Sequence, residues 1–211
     1  MMTAKRKLRV WSEFTGGMVI WEVALNTTGF HHSGLLFDYA RAYRRAALQL
    51  YKEFRQTDES RDMDMHPIVF LYRHALELYL KAILLVGNGI LLVEGRPLKH
   101  SKQIFKNHDL KKLLPGVKDI FDLLDCADIW LPPIFSSFAD VERVVRAFDE
   151  IPYDAFRYPV DPTGARELLG EPLHFNTLAF VEKTEALFDL LQTAARRTHE
   201  AFQNHSPHMP S

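Results

Sequence analysis

The sequence predicts an all-α protein, an up-and-down bundle of four to five long helices, and three observations carry that prediction. The stretch PIVFLYRHALELYLKAILLV over residues 67–86 is apolar around nearly its whole circumference, as a helix is when others pack on every side of it. Two further segments, 33–56 and the one opening at Asn176, repeat apolar residues at intervals of three and four over many turns. The Pro- and Gly-rich region near 151–176 reads instead as a small β-hairpin or irregular lobe.

Taken in order, residues 1–32 form an irregular lead-in, because MVIWEVAL mixes strand formers with helix formers between Gly and Thr. His31 and His32 are neighbours that a regular element would turn apart, which argues against a metal pair. Ser33 is a suitable N-cap. From Ser33 to Gln56, Leu36, Tyr39, Tyr43, Ala46, Ala47, Leu50 and Phe54 share one face, with Arg41, Arg44, Arg45, Lys52 and Arg55 opposite. Residues 58–64 are a charged connection, and Pro67 suits the first turn of the central helix. Gly87 or Gly89 is expected to end that helix in a left-handed conformation. Residues 90–107 then read as a long connector with one short extended piece. Asn107 and Asp109 can cap a following helix, interrupted near Pro115 and Gly116. After WLPP, helical periodicity resumes through Phe135, Phe138, Val141, Val145 and Phe148. In the lobe, FRYPV and PLHFN are expected to pair. The last helix places Phe180, Thr184, Leu187, Leu191, Ala194 and Thr198 near one face. The domain organisation is thus a lead-in over 1–32, a bundle over 33–203 and a disordered tail over 204–211.

Composition narrows the function. With 47% hydrophobic and 25% charged residues, 211 residues suffice for one substantial core. A net charge of −1 provides no global field for nucleic acid or membrane, so any such binding must be local. The single cysteine, Cys126, excludes an internal disulfide framework and fits a reducing, cytoplasmic setting. No uninterrupted apolar run reaches the ~20 residues of a membrane span, and no membrane partner is expected. Walker, dinucleotide, nucleophile-elbow and HExxH signatures are absent, and neither cofactor nor metal is expected.

The candidate chemistry lies on the central helix. At about 100° per residue, Arg73, His74, Glu77 and Lys81 fall within a third or so of its circumference. A solvent-facing stripe would be a self-neutralising i,i+4 ladder. A buried one must find partners or shift its pKa values, and is then a candidate site. The cations Arg41, Arg44 and Arg45 present the same choice between a solvated face and a phosphate-contacting surface.

The central FLYRHALELYLKAILL, the later NHDLKKLL and the FRYP before the last helix, in that order, together resemble the HEPN superfamily (higher eukaryotes and prokaryotes nucleotide-binding). The prokaryotic members with an FRYP hairpin before the final helix are most similar, over roughly residues 35–202. The resemblance implies an often dimeric bundle that binds, and in many members cleaves, RNA without metal, here in prokaryotic defence or stress response. Its catalytic members carry an Arg, four to six residues, then a His on a late helix; this spacing occurs here at Arg61–His66, in the loop before the central helix. In its place stands a constellation of Arg73, His74 and His108 as candidate catalytic groups. Glu77, Lys81, Asp109, Arg157 and Tyr158, with Arg41, Arg44 and Arg45, are the candidate binding groups. The expected partner is RNA or a nucleotide, and the expected state a homodimer. The alternatives are a non-catalytic HEPN-like interaction module and an HD-type metal phosphohydrolase built on His108–Asp109, with His74 and Asp149 as further ligands.

Overall fold

The computed structural model describes residues 31–56, 62–97, 104–123, 133–150, 155–158, 160, 163–168 and 176–205. Residues 1–30 of the lead-in, Cys126, Arg61, most of PLHFN and residues 206–211 of the tail lie outside them, whereas residues 31–32 and 204–205, expected in the lead-in and the tail, are helical. Among the described residues the chain forms α1 (His31–Gln56), a 3-10 turn (Asp62–Asp64), α2 (Met65–Val93), α3 (Leu110–Leu123), α4 (Phe138–Asp149) and α5 (Thr177–His205).

Helix α2 is the axis of the bundle, with α1, α3 and α5 packed on it and α4 bridging α3 and α5. Its apolar circumference explains this: Ile68, Tyr72, Leu76, Tyr79, Leu80, Ile83 and Leu84 point in several directions, and all are buried. It is long and apolar enough to cross a membrane, but 78% of its most apolar 18-residue window is covered by protein. Across the α2–α5 contact, the Phe188 ring packs 5.7 Å from Tyr72 and 5.5 Å from Tyr79, within the range where aromatic pairs attract beyond their buried area.

The glycines of GNG do not end α2. The helix runs through them to Val93 because Gly87 is a contact point: a Cβ there would lie 2.4 Å from Ile120 Cδ1 of α3. The left-handed stop comes later, at Gly95 with φ +66°. There Arg96 N–H donates to Leu91 O at 2.8 Å and Gly95 N–H to Leu92 O at 3.2 Å, the paired bonds of a Schellman motif. The expected connector therefore begins only at residue 94.

Helix α3 is also longer than expected, running uninterrupted through Pro115 and Gly116. Burial of Leu113, Leu114, Val117 and Ile120 on both sides of the proline outweighs the one backbone bond it removes. Helix α4 starts where Asp140 reaches back to accept the N–H groups of Ser136 and Ser137, at 2.9 and 3.2 Å, which closes its first turn. In the lobe, one antiparallel bridge joins Val160 to Glu167; the expected pairing of FRYPV with PLHFN falls mostly outside the described residues.

The buried stripe of α1 is turned about one residue from the expected one. Ala40, Ala47 and Tyr51 are buried, with Arg44 between them on the same face, whereas Tyr39, Ala46 and Leu50 are exposed. The strongest apolar periodicity in this segment was shared by two overlapping faces, and the fold buries the one that carries an arginine.

Candidate functional site

The charged stripe of α2 is buried. Arg73, Glu77 and Lys81 retain 3%, 2% and 4% of their surface, so the solvent-facing ladder is ruled out and each charge must be answered inside the protein. The answers come from three elements. Lys81 Nζ donates to Glu77 Oε1 at 2.6 Å, and Arg73 Nη1 lies 3.7 Å from Glu77 Oε2. From the segment before α3, His108 Nδ1 lies 3.0 Å from Glu77 Oε1. Since a carboxylate can only accept, Nδ1 carries the proton. Arg73 Nη2 donates to the His108 carbonyl at 2.9 Å and to Asp149 Oδ1, at the end of α4, at 3.1 Å. The other Asp149 oxygen accepts the Lys111 N–H at 2.7 Å, so a carboxylate from α4 caps the first turn of α3.

Two cations and two anions balance in this cluster. Taking four charges out of water is costly, and only close, hydrogen-bonded geometry repays it. What the cluster fixes is the junction of α2, α3 and α4. It also presents His108, whose side chain is half exposed, on a buried carboxylate that sets its tautomer and orientation.

The remaining sequence-predicted residues fall elsewhere. His74, next on α2, is not in the ion cluster: its ring stacks on Phe70 at 5.9 Å and meets the edge of Tyr43 of α1 at 4.5 Å. Burial lowers its pKa, opposed by the Glu77 carboxylate and reinforced by Lys81, Arg157 and Arg73, so it is a neutral packing ring. Asp109 turns to Lys112, whose ammonium holds its carboxyl below the usual range. Arg157 lies over the rings of Phe70 and Tyr158, 5.8 and 5.0 Å from their centroids, and donates to the Tyr158 hydroxyl at 3.1 Å. Phe156 beside it is buried, edge-on to His66 at 6.0 Å, which docks the FRYP segment on the start of α2.

On α1, Arg41 pairs with Asp38 and is half exposed, and Arg45 is exposed. Arg44 belongs to the interior instead. It donates through Nε and Nη2 to Glu185 Oε2 at 2.9 and 2.6 Å, and to Asp189 Oδ1 at 2.6 Å, tying α1 to α5. Burial alone would lower its pKa, but the two carboxylates outweigh that and raise it. It is therefore withdrawn from any surface for phosphate. Sequence reasoning missed its partners, and no local signal pointed to them, since Glu185 lies 141 residues away.

Beside this bridge a groove of about 570 Å³ runs between α1 and α5, lined by Arg41, Tyr79, Gln192, Arg196 and His199 among others. Arg196 is on a helix that the sequence marked for its apolar face and not for this cation. Among the described residues no three His, Cys, Asp or Glu side chains gather as metal ligands, and Asp149, nominated for an HD-type site, is occupied by Arg73 and the Lys111 N–H. No family model, curated protein or solved structure matches this chain.

Proposed function

We propose that this chain is a HEPN-like helical bundle that binds RNA or a nucleotide. The observation that carries the reading is convergence on α2 of the segments that suggest the family. NHDLKKLL arrives through His108, on Glu77 and Arg73, and FRYP arrives through Phe156 on His66 and Arg157 over Phe70. The groove between α1 and α5 is the proposed seat of the ligand. Its Asp38 is answered by Arg41, and Arg44 is shared between Glu185 and Asp189, so the exposed Arg196 is the cation of this groove in no ion pair among the described residues, and the one suited to a phosphate. The exposed row Tyr39, Ala46 and Leu50 on α1 supports a homodimer. Coverage of the apolar α2 by its neighbours fits a core helix rather than a membrane span.

His108 is the group placed for acid–base work, its ring half exposed and oriented by Glu77, so that the opposite nitrogen could exchange a proton with a ribose hydroxyl. A second reading, a non-catalytic interaction module, is favoured by the mutual neutralisation of Arg73, Glu77, Lys81 and Asp149. Labelled RNA incubated with the protein in a metal chelator, resolved on a gel beside a mobility-shift assay, separates the readings. Cleavage lost in His108→Ala, with binding retained, supports a ribonuclease. Binding without cleavage supports an RNA-binding bundle, and no binding at low salt leaves the interaction module.

A further inference from the structure

A second cavity, away from the ion cluster, lies between α4 and α5. It encloses about 610 Å³, within the range of sites for small organic ligands, and Val69, Val144, Phe148, Phe156 and Phe180 give it a largely apolar and aromatic lining. Its rim carries Arg143 and Lys183 but also Asp140 and Glu150. Arg143 Nη2 already donates to Asp140 Oδ1 at 2.7 Å, so the mouth has no net charge to select an ion. Hydrogen bonds from the side chain and backbone of Ser136 hold the Asp140 carboxyl below its usual range, which keeps that rim pair ionised.

The wall contains one polar group that packing does not explain. Thr184 is wholly buried, and its hydroxyl has no hydrogen-bond partner among the described residues. A threonine inside a helix ordinarily satisfies itself on the carbonyl four residues back, as two others in α5 do: Thr193 Oγ1 donates to Asp189 O at 2.9 Å, and Thr198 Oγ1 to Ala194 O at 2.8 Å. Thr184 makes no such bond. A buried hydroxyl without a partner is costly, and a group entering the cavity can supply the missing bond.

We infer that the cavity between α4 and α5 is a binding site for an uncharged planar aromatic molecule bearing one hydrogen-bonding group, which Thr184 recognises. The aromatic lining takes the ring, the charge-balanced rim excludes a preference for ions, and the hydroxyl provides the selectivity. This site is independent of the α1–α5 groove and of RNA binding.

Indole and benzene serve as probes, read by the methyl shifts of Val69 and Val144 in isotope-labelled protein during titration. The wild type is expected to bind both saturably, indole the more tightly. Thr184→Val, which removes the hydroxyl and keeps the shape, is expected to weaken indole about fivefold, the effect of one net hydrogen bond, and to leave benzene unchanged. Val144→Trp is expected to fill the cavity and abolish both titrations; should that variant fail to fold, Ala147→Trp at the exposed rim does the same. Absence of saturable shifts at these methyls, or shifts that persist in the filled variant, would overturn the site. An indole preference unchanged in Thr184→Val would overturn the role given to the hydroxyl.

Discussion

At position 87 a methyl group has nowhere to go. It would lie 2.4, 2.5 and 2.8 Å from Cδ1, Cγ1 and Cγ2 of Ile120, so the whole branched side chain, not its tip alone, would have to move. Ile120 is itself 1% exposed and cannot swing into solvent. Gly87→Ala is therefore expected to destabilise the fold by about 1–3 kcal/mol, despite the better helix propensity of alanine. Denaturant unfolding of Gly87→Ala, Ile120→Ala and the double variant checks this: the double should be more stable than the sum of the single effects predicts. His74 gives a pH dependence of definite sign. Its folded pKa is lowered from 6.5 by burial, so below that pH the unfolded chain takes up a proton the folded chain refuses. Stability is expected to fall as pH drops through about 6.5, and His74→Phe, which keeps an aromatic ring against Phe70 and Tyr43, to flatten that part of the profile in thermal unfolding. The lowered carboxyls of Asp109 and Asp140 act in a separate window, below their usual 3.8, where stability is again lost on acidification.

Between elements, the decisive contacts are ionic. Glu77 answers Lys81, Arg73 and His108 at the α2–α3 junction, so Glu77→Gln removes the carboxylate that, among the described residues, answers the buried Lys81 ammonium. A loss of about 3–5 kcal/mol is expected, measured by denaturant unfolding, because breaking one side of a buried pair strands the other. Arg44→Ala separates α1 from α5 and is expected to cost about 1–3 kcal/mol, less because Asp189 is largely exposed, whereas Arg41→Ala should fall within about 0.5 kcal/mol of wild type. The helices themselves were legible in sequence because their apolar period was strong, and so was the α2 stripe, which needs only the angle between successive residues. Its burial was not legible. A charged stripe looks the same in sequence whether its neighbours cover it or not, and the residues that answer it from outside α2, His108 and Asp149, come from the segment before α3 and from α4. The rotation of α1 was hidden for a related reason: Ala40, Ala47 and Tyr51 form a less apolar row than the exposed one, and only the distant Glu185 and Asp189 make Arg44 acceptable inside. Gly87 misled because a glycine that permits close packing and one that ends a helix have the same letter.

For the whole molecule, the arrangement is a covered central helix whose charges are spent on joining its neighbours, leaving His108, the α1–α5 groove and the α4–α5 cavity as places open to chemistry. A bundle near zero net charge has no long-range pull on a polyanion, so nucleic-acid affinity would rest on a few local cations and weaken with salt in proportion to their number. The most direct measurement is fluorescence anisotropy of a labelled single-stranded RNA titrated with protein across a salt series, for wild type and for Arg41→Glu with Arg196→Glu. Arg44 is left intact, because reversing it would perturb the fold as well as the surface. Binding to wild type is expected to weaken as salt rises, with affinity and salt slope both reduced in the double variant while its melting temperature is retained. Equal binding by the two proteins, or none by wild type at low salt, would contradict RNA binding in the α1–α5 groove.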